Sequence, residues 1–240
     1  MLNSIQGTPQ AEADGYWPSM REFKTALCDE NELIAEALRT TCRRWLRAPI
    51  LDVGAGLGDI AAAAFPDLTA VLLDLHLTPE VKSDLHTSVR GDFFKYAPKK
   101  RPRPRTVLLC HVLQYIDDDW DRFRLKLADL DPETVVAVTN DNDGQFGSLV
   151  NWVLANVSGS NPEDSLIQLD MQRYQLRQTV PITATLKCPD FATLANHLVV
   201  GLLDAVLAPE TIAATVKKLQ ELLDAPTMRI NQTIYCYEKI

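Results

Sequence analysis

The stretch Leu51-Asp52-Val53-Gly54-Ala55-Gly56-Leu57-Gly58-Asp59 decides the fold class of this 240-residue chain. The apolar run at residues 50–53 is typical of a buried strand, and the alanine-rich residues 59–65 are typical of a helix. Between them, glycines at alternate positions allow the backbone to turn tightly and allow a ligand to approach without meeting side chains. Close packing of the helix on the strand would require the same glycines without a ligand, so the turn alone leaves both explanations open.

Strands and helices alternate on both sides of this turn. Pro49 ends an amphipathic helix that starts at residue 29, and the later patterns predict strands at 70–73, 107–110 and 135–139 and a helix at 119–130. This alternation predicts an α/β fold, a doubly wound and mostly parallel sheet with helices on both faces, whose ligand sites lie at the carboxyl ends of the strands. Farther along, the patterns predict helices at 148–156, 166–177, 189–203 and 209–223 and a last strand at 233–237.

Acidic residues follow the predicted strands. Asp74 ends the second strand, where a carboxylate can accept hydrogen bonds from ribose hydroxyls. Asp92 follows the expected third strand within Gly-Asp-Phe-Phe (91–94), and its aromatic neighbours Phe93 and Phe94 are suited to cover an adenine ring. A single acid at a strand end often has no function, but together with the glycine turn these acids predict a pocket for an adenosyl group.

The residues around the turn favour one adenosyl cofactor over another. A nicotinamide dinucleotide prefers a GxGxxG turn, but Asp59 stands where the third glycine would be. Asp52 and Asp59 flank the turn with carboxylates that would repel a pyrophosphate and would attract the ammonium group of a methionyl moiety. The sequence therefore favours S-adenosyl-L-methionine over a dehydrogenase cofactor.

Four segments together resemble the motifs of the seven-stranded, Rossmann-like SAM-dependent methyltransferase superfamily: LDVGAGLGD (51–59), LLD (72–74), GDFF (91–94) and TVLLCHVLQYIDDD (106–119). The resemblance covers roughly residues 29 to 140 and the terminal strand. It implies a seven-stranded sheet and S-adenosyl-L-methionine as cofactor. The cofactor-binding residues that it implies are Asp52 near the methionyl ammonium group, Gly54, Ala55, Gly56 and Gly58 in the turn, Asp74 and Leu75 at the ribose, Asp92 and Phe93 at the adenine, and Cys110 and His111 at the methyl-donor end.

His111 is the candidate catalytic residue. Methyl transfer is an in-line displacement that depends largely on positioning, so a general base is optional, and His111 would serve as that base if one is used. The alternative is a hydrogen-bonded structural histidine. The segment HVLQYIDDD also resembles the LHDWDDE segment of plant-type small-molecule O-methyltransferases, but the catalytic histidine of that family falls on Gln114 here.

The acceptor site is expected in the variable parts of the chain, namely an N-terminal lid that contains GYWPSMREF (15–23) and residues 141–180. Arg173 and Arg177 stand four residues apart, so on the predicted helix they would share a face and could hold a carboxylate, or they could be ordinary solvated arginines. The candidate substrate-binding residues are Tyr16, Trp17, Gln114, Asn142, Trp152, Arg173 and Arg177.

The composition limits which classes of partner are expected. The formal charge of −8, from 24 Lys and Arg against 32 Asp and Glu, and the absence of a [DN]PP[YF] segment argue against nucleic acid. The basic segment 99–105 is interpreted as a solvated, proline-stiffened loop or as a dock for an acidic substrate or carrier. The five cysteines form no CxxC pair, so we expect neither a metal site nor a disulfide framework, and no segment resembles a membrane span or a signal peptide. These features predict a cytoplasmic protein.

One domain over residues 1–240 is expected, with an N-terminal lid and helix at 1–48, a cofactor-binding core at 49–140, a substrate-side insertion at 141–180, and closing helices with the last strand at 181–240. The predicted function is SAM-dependent methylation of a small molecule or short peptide, on oxygen more readily than on nitrogen, in natural-product biosynthesis. The alternative is a SAM-binding protein without methyl transfer, such as a cyclase or a regulatory partner. The sequence leaves open a monomer or a homodimer.

Overall fold

The computed structural model describes residues 27–75, 83–98, 102–113, 120–153, 155–156, 173–203 and 209–240. Three predicted substrate-binding residues, Tyr16, Trp17 and Gln114, lie outside these ranges. The described helices are α1 Glu30–Thr40, α2 Asp59–Ala64, α3 Trp120–Leu130, α4 Gly144–Val153, α5 Phe191–Leu203 and α6 Pro209–Leu222. The strands are β1 Ile50–Val53, β2 Ala70–Asp74, β3 His86–Arg90, β4 Thr106–Cys110, β5 Thr134–Asn140, β6 Tyr174–Lys187 and β7 Thr227–Lys239.

The strands form one seven-stranded, mostly parallel sheet in the order β3-β2-β1-β4-β5-β7-β6. β1 lies between β2 and β4 and is parallel to both, with Asp52 in register with Leu72 on one side and Leu108 on the other. β3 is parallel to β2, and β5 is parallel to β4. The strand order therefore reverses between β1 and β4, which is the point where ligands bind in doubly wound sheets.

The parallel strands are buried on both faces, which explains their nearly continuous apolar sequences. Alternate residues of each strand enter different core clusters: Ile50 and Leu108 join Phe65 and α1 on one face, whereas Leu51 and Leu109 join α3 on the other. All four residues of β1 are buried. Helices on both faces of the sheet, as predicted, are confirmed.

The chain contains two compact units. One comprises residues 32–139, 167–182 and 232–240 and holds the five strands from β1 to β5 with both core clusters. The other comprises residues 1–31, 140–166 and 183–231, and within its described part α5 packs against α6. In the described residues, no helix has the length and apolar character needed to cross a membrane.

Several predicted elements differ from the structure. The helix predicted at 166–177 is wrong where the structure describes it, because Tyr174–Lys187 forms strand β6. Residues 179–185 are rich in Thr, Val and Ile, which favour strands, and β6 is an edge strand, where a proline such as Pro181 is tolerated. The predicted first helix ends early, at Thr40, and a 3-10 turn follows at Arg43–Trp45. The last strand is longer than predicted and spans Thr227–Lys239.

Candidate functional site

The glycine turn leads from β1 into α2 and is tied to the neighbouring strand. The backbone N–H groups of Gly54 and Ala55 both donate to the carbonyl oxygen of Leu73, at 2.8 and 3.1 Å. Gly54, Gly56 and Gly58 all have positive φ, at 69°, 57° and 86°. Gly58 is the N-cap of α2 and donates its N–H to Ala55 O at 2.9 Å. Glycine suits this left-handed backbone because other residues pay a steric cost there.

Two of these glycines face different surroundings. A Cβ atom at Gly54 would lie 2.4 Å from Cγ2 of Val112, so the residue after His111 closes this part of the turn. A Cβ atom at Gly56 would meet no heavy atom within 4 Å. Packing therefore requires a glycine at position 54, whereas at Gly56 the backbone borders open space that a ligand can approach.

Asp74 links the end of β2 to the turn. Its Oδ2 atom accepts a hydrogen bond of 2.9 Å from the backbone N–H of Gly56, and the residue is only 8% exposed. Its backbone oxygen accepts from Gly91 N at 2.7 Å, which joins the ends of β2 and β3. The carboxylate is thus held at the carboxyl edge of the sheet, beside the open space at Gly56. Leu75, which follows it, is 55% exposed.

Asp52 lies on β1 and is 3% exposed. Burial, with a smaller contribution from the charge of Asp74, raises the pKa of this carboxyl to about 8. Removal from water disfavours the carboxylate, and a second negative charge disfavours it further. A cationic group placed beside Asp52 and Asp74 would relieve both effects.

Asp92 and Phe93 follow β3, as expected for the adenine end of a pocket. Asp92 caps the 3-10 turn Phe93–Lys95 by accepting from Phe94 N at 2.8 Å, and it lies 3.6 Å from Lys95 Nζ. The ring of Phe93 packs edge-to-face on Phe94, with centroids 5.4 Å apart, and packs on the second core cluster. Local hydrogen bonds and ring contacts thus fix this segment at the end of β3.

Cys110 and His111 end β4 beside the turn, and both are half-buried. His111 has a φ of 52°, which is uncommon outside glycine, and its N–H donates to Val138 O on β5 at 3.0 Å. Its ring Nε2 lies 3.4 Å from Nε2 of Gln232, a fully buried residue of β7. The sequence does not indicate that Gln232 contacts His111, because 121 residues separate the two and no motif surrounds Gln232.

The structure brings the two candidate arginines to a different edge of the sheet. The guanidinium group of Arg173 lies 3.5 Å from Asp131, and that of Arg177 lies 3.2 Å from Glu238. Both acids lie at the edge of the sheet where the parallel strands begin. Lys239 N donates to the oxygen of Glu133, immediately before β5, which places this end of β7 at the same edge. The proposed shared helix face does not exist, since Arg177 is part of β6.

The two other described acceptor candidates belong to the unit that contains α4. Asn142 is exposed and precedes this helix, and Trp152 is half-buried within it. A Cβ atom at Gly147 would lie 2.3 Å from the backbone of Asn142, so a glycine is needed where the helix passes this loop. The oxygen of Trp152 accepts from Asn156 Nδ2 at 2.8 Å.

The part of the chain that the structure describes bears on the expectations for metal sites, disulfides and the basic segment. That part holds no group of three or more His, Cys, Asp or Glu residues that could ligate a metal ion, and no disulfide joins the five cysteines. In the basic segment, Arg105 is already paired with Glu133, at 2.6 Å. Residues 99–101 of that segment lie outside the described ranges.

Comparison by sequence finds no match, either to a family model or to a curated protein. Comparison of folds finds similar solved structures. A cyclopropane-fatty-acyl-phospholipid synthase-like protein from Lactobacillus casei is 13% identical, with a TM-score of 0.54 over 87% of this chain and 91% of that one. A SAM-dependent methyltransferase from Geobacter sulfurreducens, solved with S-adenosyl-L-homocysteine, is 13% identical, with a TM-score of 0.52 over 88% and 98%.

A third similar structure is a SAM-dependent methyltransferase from Archaeoglobus fulgidus, 13% identical, with a TM-score of 0.50 over 94% of this chain and all (100%) of that one. At such low identity the likeness concerns the fold. The strand order, the helices on both faces and these neighbours agree. The fold of this chain is the seven-stranded, Rossmann-like fold of the SAM-dependent methyltransferases.

Proposed function

We propose that this chain binds S-adenosyl-L-methionine at the carboxyl ends of β1, β2 and β4 and transfers its methyl group to a small molecule or short peptide. The observation that carries the proposal is the open space at Gly56 beside the buried carboxylate of Asp74. A glycine at this position leaves the backbone open to the close approach of a ligand. The fold, and the bound S-adenosyl-L-homocysteine of the Geobacter sulfurreducens enzyme, support the choice of cofactor.

The residues around the turn fit this cofactor in charge and in shape. Asp74 is the residue that we propose for the ribose hydroxyls, because its carboxylate lies at the end of β2, where it accepts from the backbone N–H of Gly56 beside open space. Asp52 is proposed to face the methionyl ammonium group, whose positive charge would stabilise the ionised carboxyl. Asp92 and Phe93 are proposed for the adenine, and Gly54, Ala55 and Gly58 for the backbone cradle.

The chemistry requires an electrophilic methyl group, which the bound cofactor supplies on its sulfonium. The chain must then hold an acceptor in line with that group and exclude water, and such positioning provides much of the acceleration in a displacement of this kind. His111, at the end of β4, is the residue that we propose to contact the acceptor. Cys110 would lie beside it at the methyl-donor end.

The acceptor wall is proposed to come from the N-terminal lid within residues 1–48, with Tyr16 and Trp17, and from the insertion at 141–180, with Asn142 and Trp152. Gln114, three residues after His111, completes this set. Arg173 and Arg177 are left out of it, because their guanidinium groups pair with acids at the amino edge of the sheet. An oxygen acceptor remains favoured over nitrogen, and we propose a role in natural-product biosynthesis.

Isothermal titration calorimetry of the full chain with S-adenosyl-L-homocysteine and, separately, with NAD tests the cofactor. We expect binding of the first and none of the second, and tighter binding of NAD would contradict the proposal. The matched control is Arg177→Ala, whose ion pair lies at the opposite edge of the sheet and whose affinity should equal that of the wild type.

Methyl transfer is tested separately, by incubating the protein with methyl-labelled S-adenosyl-L-methionine and a low-molecular-weight metabolite extract. Label in products other than the cofactor supports an enzyme. Tight cofactor binding with no transferred label would favour the alternative, a SAM-binding protein without methyl transfer.

A further inference from the structure

Asp52 and Asp74 are buried acids on the same face of neighbouring strands. Asp52 of β1 is in register with Leu72 of β2 and Leu108 of β4, so the three side chains share one face of the sheet. Asp74 follows Leu72 by two residues, and side chains two residues apart on a strand point to the same face. The exposed fraction is 3% for Asp52 and 8% for Asp74. The fold therefore brings two carboxyl groups together with little access to water.

Within the described residues, the surroundings of Asp52 offer its carboxyl group no positive charge. Leu72 and Leu108 belong to the first core cluster, and the described members of this cluster include no Lys, Arg or His. The charge that acts on Asp52 from the described part of the chain is the negative charge of Asp74. The described titratable groups on this face of the elements around it are Asp74 on β2, Cys110 on β4, Cys42 after α1 and Cys236 on β7. Ionised Asp52 would thus lose its hydration without gaining a counterion from these elements.

The hydrogen bonds decide which of the two acids keeps a proton. Asp74 Oδ2 accepts from the backbone N–H of Gly56 at 2.9 Å, and such a donor favours the ionised form of a carboxyl group. Asp52 is the more deeply buried of the two and receives no such bond from the described residues. Burial and the charge of Asp74 raise the pKa of Asp52 to about 8, so its neutral form prevails at pH 7. Asp52 is therefore the acid that holds a proton in the ligand-free protein.

An ammonium group bound beside the two acids reverses this balance, because its positive charge attracts both carboxylates and replaces the hydration that Asp52 lacks. We propose that binding of S-adenosyl-L-methionine expels the proton of Asp52, so that cofactor affinity rises with pH and the site selects adenosyl ligands that carry an ammonium group. The O–H bond of the acid breaks, its electron pair stays on oxygen, and the proton passes to the solvent. The inference rests on the proposed cofactor site.

A ligand that lacks the ammonium group provides the comparison. 5′-Deoxy-5′-methylthioadenosine has the adenosine and the sulfur of the cofactor but no amino-acid group, so its binding should leave the proton on Asp52. S-adenosyl-L-homocysteine carries the ammonium group and has to displace that proton. Because each released proton changes affinity by a factor of about ten per pH unit, its affinity should rise by up to about tenfold per unit between pH 6 and 7.5. The affinity of the truncated ligand should stay constant over that range.

Calorimetric titrations of the full chain in buffers of different ionisation enthalpy count the protons released on binding. At pH 7 we expect about one proton for each S-adenosyl-L-homocysteine bound and almost none for 5′-deoxy-5′-methylthioadenosine. Binding of S-adenosyl-L-homocysteine without proton release would overturn the proton linkage and leave the cofactor site in place. If S-adenosyl-L-homocysteine binds at no pH, the proposed cofactor site fails together with the linkage, so the two failures are distinguishable.

Asp52→Asn removes the titrating group and keeps the size and neutrality of the protonated acid. The variant should therefore fold, bind S-adenosyl-L-homocysteine without releasing a proton, and show no rise of affinity between pH 6 and 7.5. The control Arg177→Ala changes an ion pair at the amino edge of the sheet and should keep the proton count of the wild type. Proton release that persists in Asp52→Asn would overturn the assignment to this residue.

The proton on Asp52 can also be measured directly, by ¹³C NMR of the aspartate carboxyl carbons, in which the Asp52 signal is identified by its loss in Asp52→Asn. In the ligand-free wild type we expect this signal to report a pKa of about 8. With S-adenosyl-L-homocysteine bound, the signal should already be that of a carboxylate at pH 6. A ligand-free pKa near the ordinary aspartate value of about 4 would overturn the proposal without any appeal to a binding variant.

Discussion

The backbone N–H of Gly56 donates to the Asp74 carboxylate at 2.9 Å, so that the turn after β1 and the end of β2 hold each other. One side chain thereby fixes the shape of the turn and presents an acidic group at the carboxyl edge of the sheet. Binding and folding are coupled at this residue, and variants can separate the two.

Replacing Asp74 by Asn or by Ala should affect the cofactor differently from the fold. Asn keeps an oxygen for Gly56 N–H but loses the charge, whereas Ala leaves that N–H without its acceptor. We expect Asp74→Ala to weaken S-adenosyl-L-homocysteine binding by about 1–3 kcal/mol and to lower the unfolding free energy by about 1 kcal/mol. Asp74→Asn should weaken binding with almost no loss of stability. Calorimetry and urea unfolding measure the two effects, and equal affinity in all three proteins would remove Asp74 from the site.

Alanine at Gly54 and alanine at Gly56 form a matched pair, since both positions have positive φ. Gly54→Ala also pushes a Cβ atom onto Val112, and the combined strain should lower the unfolding free energy by about 2–4 kcal/mol. Gly56→Ala meets no neighbour and should cost only about 1–2 kcal/mol, while its methyl group enters the space proposed for the ligand.

Thermal unfolding and calorimetry separate the two glycine variants. Val112→Ala combined with Gly54→Ala should recover the part of the stability that the steric clash removed. Normal cofactor affinity in Gly56→Ala would show that the open space is not where the ligand lies.

The buried Asp52 predicts that stability depends on pH. Its pKa is raised to about 8, so the folded chain holds this proton more tightly than the unfolded chain does. The stabilisation is therefore complete below the ordinary aspartate pKa of about 4 and is lost as the pH rises towards 8. The side chain of Asp52→Asn stays neutral. The difference in unfolding free energy between this variant and the wild type should therefore move in favour of the variant, by up to about 1.4 kcal/mol per pH unit between pH 5 and 8.

Urea unfolding from pH 5 to pH 9 measures this dependence. The control is Asp121→Asn, the same carboxylate-to-amide change at a side chain that is 93% exposed. Parallel curves for Asp52→Asn and the wild type would show that Asp52 is ionised in the folded chain.

Arg173→Ala and Arg177→Ala should leave cofactor affinity and methyl transfer unchanged. Both guanidinium groups pair with acids at the amino edge, and the side chains of Arg173 and Arg177 are 55% and 39% exposed. Exposed ion pairs of this kind contribute about 0–1 kcal/mol to stability. Turnover assays with the labelled cofactor check the prediction, and a loss of transfer in either variant would return these arginines to the acceptor site.

The sequence by itself determined the core of the fold, because that information is local. The glycine turn at 54–58 and the short apolar runs around it predict strand, turn and helix from neighbouring residues, and the alternation predicts the parallel sheet. The acids at 52, 74 and 92 are identified in the same way, since Asp52 flanks the turn and Asp74 and Asp92 end or follow predicted strands. Their roles as ligands of a cofactor remain predictions.

Only the tertiary structure decided what depends on distant partners. Residues 174–177 have helix-like spacing but form an edge strand, because β7 supplies the hydrogen-bonding neighbour. Arg177 pairs with Glu238, and Gln232 contacts His111, through side chains that lie far apart in the chain. The pattern of neighbouring residues determines which face of a strand is apolar. The order of the strands in the sheet determines which side chains from different strands meet.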